Sequence, residues 1–111
     1  MSHHLDVAEI QQRLREFARV RDWEHYHDPK SLAGSVVIEA AELLECFQWL
    51  STEESKDAAC DPHLTEQVAA ELADVLIYLL RLADVLAIDL AAAVEEKLIR
   101  NETRFPRGAQ P

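Results

Sequence analysis

The chain has 111 residues, room for one domain or one subunit of an oligomer, and its 49% hydrophobic and 29% charged composition excludes a disordered chain. Two Gly and four Pro are too few turn residues for an all-β domain. With 21 acidic residues against 11 basic ones the net charge is -10, which excludes a broad duplex nucleic-acid surface but leaves room for a nucleotide.

A single domain, 1–111, is expected, with an ordered core from about residue 5 to about 106 and frayed residues at 1–4 and 107–111. No charged n-region with an apolar h-region opens the sequence, and no run of about 18 apolar residues follows, so neither a signal peptide nor a membrane contact is expected. Cys46 and Cys60 lack CxxC spacing and make no disulfide framework, which points to a reducing cytoplasm.

Leu5, Ile10, Leu14 and Phe17 predict a first helix over 5–20. Residues 21–30, RDWEHYHDPK, break the pattern and read as a loop. A second helix is predicted over 31–50, capped by Ser31 or a neighbour. Residues 51–61 are a polar connector in which Ser51 and Glu54 have capping-box spacing. Asp61 followed by Pro62 predicts the start of a third helix over 62–86. Leu64, Val68, Leu72, Val75, Leu79, Leu82 and Leu86 give it helical spacing. Asp89 predicts a fourth helix over 90–104, closed by Pro106. Four helices with short connectors imply an all-α, four-helix bundle, and a core this thin favours a homo-oligomer.

Two acidic pairs stand in the most apolar stretches. Between Val36 and Leu50 the polar side chains are Glu39, Glu42, Glu45 and Gln48, spaced by three. Glu39 and Glu42 can converge, while Glu45 drifts round the helix. Glu71 and Asp74, also three apart, precede the apolar run VLIYLL at 75–80, which is expected to be buried, and Tyr78 continues their stripe. Four carboxylates together repel unless a cation neutralises them, and an oxygen-only set suits Mg²⁺, with Mn²⁺ as the alternative. The plainer reading is that they form solvated helix stripes. Lys97, Asn101 and Arg104 share one stripe of the last helix and can hold phosphate oxygens, or form an ordinary solvated face. Trp23 and Tyr26, with His25 and His27, make an aromatic loop able to stack a base, while Trp49 and Tyr78 read equally well as packing residues. A di-iron site is not expected, since Glu24–His27 is the sole Glu-x-x-His, and zinc is unsupported, since Cys60–His63 has no second pair.

Glu39-Ala-Ala-Glu42 and Glu71-Leu-Ala-Asp74 resemble the ExxE…ExxD signature of the all-α, MazG-like nucleoside triphosphate pyrophosphatases. RDWEHYHDPKSL at 21–32, EAAELLECFQW at 39–49, ELADVLIYLLRLA at 71–83 and KLIRNETRFP at 97–106 look most like the dCTP pyrophosphatase branch. The resemblance implies a four-helix bundle assembled as a homodimer or homotetramer, with sites at subunit contacts. It implies Mg²⁺-dependent cleavage of a nucleoside triphosphate, dCTP or a modified dCTP foremost, between the α and β phosphates. Glu39, Glu42, Glu71 and Asp74 would hold metal. Glu42 or Glu45 would activate water. Lys97, Asn101 and Arg104 would contact phosphates, and Trp23, His27, Trp49 and Tyr78 would shape the base and sugar pocket. Leu14 stands where that branch often has a His, and Ser31 where relatives carry Asn. House-cleaning of the nucleotide pool is the role such an activity implies. The alternative is a non-catalytic nucleotide-binding or structural helical module.

Overall fold

A computed structural model describes residues 3–111. Of the frayed start expected at 1–4, Met1 and Ser2 lie outside the described residues, and His3 and His4 are exposed coil. The described chain is helical and has no strand: α1 (Val7–Val20), α2 (Pro29–Glu45), a single turn α3 (Thr52–Ser55), α4 (Pro62–Val85) and α5 (Leu90–Arg104), with 3₁₀ turns at Glu24–Tyr26 and Ala58–Cys60. The all-α class expected from the sequence is therefore what the chain adopts.

The helix starts are written in acidic and hydroxyl side chains. The Glu9 amide donates to Asp6 Oδ1 at 3.0 Å, so α1 begins at Val7 rather than at Leu5. The His63 and Leu64 amides donate to Asp61 Oδ1, and the Ala92 amide donates to Asp89 Oδ1. Both ends of the Ser51–Glu54 capping box form, at 2.8 and 3.0 Å. Each of these bonds satisfies an amide that the helix itself leaves open.

Two helix ends need a correction. The second helix starts at Pro29, because Asp28 accepts from the Ser31 amide and hydroxyl; Ser31 sits inside the first turn. It stops at Glu45, where Cys46, Phe47 and Gln48 bond back three residues instead of four, a tightening into turns over 46–50.

Helices α1 and α4 stop in the same way. The Trp23 amide donates to the Ala18 carbonyl and the Asp22 amide to that of Arg19; the Ile88 amide donates to Ala83 and the Ala87 amide to Asp84. These are Schellman pairs, with Asp22 and Ala87 at φ 55° where glycine is usual. The first of them folds Trp23 back against Phe17, with ring centroids 5.7 Å apart at 68°.

The packed body is α2 and α1 laid against α4, with Ala18, Leu32, Leu80 and Ala83 as its buried apolar core. Gln11 on α1 reaches across to donate to the Leu80 carbonyl at 2.9 Å. The run 75–80, expected to be buried, is only partly so within one chain: Leu80 is enclosed, while Ile77 and Leu79 remain 38% and 40% exposed. Helix α5 stands apart. It touches the other helices only in passing and buries none of its residues, although it carries Val94, Leu98 and Ile99.

Candidate metal centre

The packing of α2 on α4 brings the acidic pairs face to face. One carboxylate oxygen each from Glu39, Glu42 and Glu71 lie within 4.8 Å of one another. Glu39 and Glu42 are one helical turn apart on α2, and Glu71 meets them from α4. Glu39 Oε2 and Glu71 Oε2 are enclosed and have no hydrogen-bond partner. An enclosed acceptor without a donor is costly, and a buried anion more so.

The protonation equilibria record that cost. Burial, followed by the hydrogen bond and charge of Glu42, raises the Glu39 carboxyl above the ordinary carboxylate value. Burial also raises Glu71, and the charges of Glu42 and Asp74 push it further. A divalent cation relieves both strains together, by giving the orphaned oxygens a partner and cancelling the repulsion. The donor set therefore fits a hard cation with oxygen ligands.

Asp74 lies outside the three-oxygen group, yet close enough for its charge to act on both Glu39 and Glu71. Glu45 does not join the group either. It lines an open cleft of about 460 Å³ together with Glu42 and Glu71, rimmed by Gln48 and Gln67.

A second, smaller recess opens between α1, α4 and the turn at 24–26. It has a volume of about 130 Å³ and is lined by Leu14, Phe17, Trp23, His27, Ile77, Tyr78 and Arg81. Three of the aromatic-pocket residues expected from the sequence, Trp23, His27 and Tyr78, thus share one slot. Trp49 does not join them: it is 88% exposed in the turns after α2. Lys97, Asn101 and Arg104 lie on α5, which has no extensive packing on α2 or α4, and none of the three lines the acidic cleft or the aromatic slot.

Arg81 escaped the sequence reading. It is 8% exposed and follows the apolar run 75–80 near the C-terminal end of α4. Its Nε donates to His27 Nδ1 at 3.0 Å, and its Nη1 pairs with Asp84 Oδ2 at 3.4 Å. Asp84 is held in turn by Arg15 Nη1 at 2.7 Å. The signal in the sequence was the lone cation in VLIYLLRLA, since a buried guanidinium requires acceptors. Its partner His27, 54 positions away, was visible only in the fold.

Comparison with known proteins follows the same lines. The MazG-like family matches residues 35–110. The chain is 42% identical over 100 residues to dCTP pyrophosphatase 1 of Rattus norvegicus and 40% identical over 100 residues to that of Homo sapiens. Each alignment covers 90% of this chain and 59% of the relative, so the chain spans about three-fifths of the length of these curated relatives. Among solved structures it is similar to a pyrophosphatase from Archaeoglobus fulgidus, with a TM-score of 0.83 and 44% identity over 96% of this chain and 98% of that one. The acidic pairs, the helical fold and a family match across most of the sequence agree: the chain belongs to the MazG-like family.

Proposed function

We propose that the chain is a nucleoside triphosphate pyrophosphohydrolase. It takes a (deoxy)nucleoside triphosphate and water and yields the monophosphate and pyrophosphate. The preferred substrate is dCTP or a modified dCTP, which fits the names of the curated relatives. The observation that carries this reading is the convergence of Glu39, Glu42 and Glu71 with two enclosed, partnerless oxygens.

Glu39, Glu42 and Glu71 would hold Mg²⁺, or Mn²⁺ in its place, with Asp74 completing the acidic wall. When bound, the cation supplies positive charge for the triphosphate oxygens and for the charge that develops as the α–β bond breaks. Glu45 lies in the same cleft but outside the three-oxygen group, which frees it to accept the proton of the water that attacks the α-phosphorus. Glu42 is the alternative base. Trp23 and Tyr78 line the slot that would stack the base. Lys97, Asn101 and Arg104 hold phosphate oxygens.

We assign that last role to α5 of a second copy of the chain. The described structure exposes 8992 Å², where a monomer of 12.6 kDa exposes about 6,200 Å². Its radius of gyration is 16.9 Å, against about 13 Å for a compact chain of this length. Exposed Val37, Ile38 and Leu44 on α2, Leu98 and Ile99 on α5, and an apolar groove of about 380 Å³ between α1 and α4 are the surfaces a homodimer or homotetramer would cover. Unpaired Cys46 and Cys60 suit the cytoplasm, where house-cleaning of the nucleotide pool would take place. No helix is long and apolar enough to cross a membrane among the described residues.

The test is product analysis with Mg²⁺ and a panel of dNTPs, NTPs and modified cytosine triphosphates. Monophosphate plus pyrophosphate is expected, fastest for a cytosine nucleotide. Diphosphate plus phosphate would place the cut elsewhere. Nucleotide binding without turnover would leave a non-catalytic nucleotide-binding module.

A further inference from the structure

Arg81 is a poor choice for stability alone. Replacing a buried guanidinium by an apolar side chain of like volume is often neutral or better. Here it spends its Nε–H on a ring that lines the slot.

The chemistry of that bond is restrictive. Arginine has no acceptor and stays protonated, so His27 Nδ1 must accept with its lone pair. An imidazole whose Nδ1 is unprotonated carries its proton on Nε2. We propose that Arg81 is a positioning residue that fixes His27 as the Nε2–H tautomer, so that the slot between α1 and α4 presents a hydrogen-bond donor to an acceptor atom of the substrate's base. The cytosine edge offers such acceptors in its O2 and N3. The inference rests on the nucleotide reading given above for its ligand, but not for the state of the ring.

The surroundings agree. Asp84 and Arg15 sit behind Arg81, so the guanidinium charge is balanced by a carboxylate rather than by the ring. Glu16, Arg19, Glu24 and Tyr78 are the other titratable groups at the two clefts that Arg81 borders. Burial, then the charge of Arg81, lowers the His27 pKa from its ordinary value.

Two readouts test this. Long-range ¹H–¹⁵N spectra of the nucleotide-free wild type should show His27 at neutral pH as the Nε2–H tautomer. In Arg81→Met the ring should become a tautomer mixture and take up a proton at higher pH than in the wild type. An Nδ1–H ring or an imidazolium in the wild type at neutral pH would overturn the proposal.

The second readout is kinetic. Arg81→Met should raise KM for dCTP about fivefold, with kcat changed by less than about twofold. Inhibition by inorganic tripolyphosphate, which has no base, should not move. An unchanged KM for dCTP, or an equal loss of tripolyphosphate binding, would overturn it. If Arg81→Met does not fold, His27→Leu on the surface turn carries the kinetic arm: it should raise KM as much, and a wild-type KM there would refute the slot donor. If the wild type hydrolyses no nucleotide at all, the proposed activity falls, while the spectra still decide the tautomer.

Discussion

The carboxylate face of α2 and α4 and the cationic stripe of α5 are built in opposite ways. The first is complete in one chain. Glu39 and Glu42 share a helical turn, and packing against α4 brings up Glu71. The second is a row of side chains on a helix that meets the rest of its own chain only in passing and buries none of its residues. A helix repeat is enough to align ligands, but only packing decides what they face. The carboxylate cluster is a product of the monomer fold, and we propose that the cationic stripe meets such a cluster only in an assembly.

Removing the carboxylate cluster has the largest expected effect. Glu42→Gln, and separately Asp74→Asn, should lower turnover by about 100-fold or more while helicity persists. Full activity in both variants would break the contrast at its root. The cationic stripe is tested by mixing. Lys97→Ala with Arg104→Ala should raise KM by about tenfold. Co-refolding that chain with Glu42→Gln should bring back a population of sites with the wild-type KM, because a wild-type α5 then meets an intact carboxylate face. No recovery would mean that α5 serves its own chain.

Stability gives a third, smaller test. Glu39 and Glu71 have raised pKa values in the folded chain, so the folded state holds protons that the unfolded state has released. The resulting penalty is absent below the ordinary carboxylate value of 4.5, grows as pH rises from there, and is complete above the raised values. Melting of the metal-free double variant Glu39→Gln/Glu71→Gln should therefore gain on wild type as pH rises through that window. A gap that does not widen with pH would show that the two carboxyls titrate as ordinary surface groups.

How much of this was legible depended on the range of the interaction. Asp61-Pro62, Asp89 and the Ser51–Glu54 box marked their helix starts correctly, because a cap is a contact within three residues. Asp28-Pro29 is the same signal as Asp61-Pro62, but the aromatic residues and histidines before it gave a loop reading that ran on to Lys30. The stops at Asp22 and Ala87 carried no glycine to announce them. The acidic cluster was legible because unpaired carboxylates do not belong in apolar runs. Arg81 broke the same rule unnoticed. The isolation of α5 was not legible, since its amphipathic pattern is the same whether a neighbour lies in the chain or in another copy.

The smallest expected effect concerns one of those silent stops. Ala87 holds a left-handed conformation that costs an L-residue more than glycine. Ala87→Gly should raise the melting temperature by about 2 °C. A fall would mean that the Ala87 side chain contributes more than its backbone costs.

The central claim is that three carboxylates on two helices of one chain form a divalent cation site. Calorimetric titration of Mn²⁺ into the metal-free protein and into Glu71→Gln tests it most directly. The account predicts saturable binding to the wild type and at least a tenfold loss of affinity in the variant, about the cost of one misplaced ligand. Equal affinity in the two proteins would contradict it.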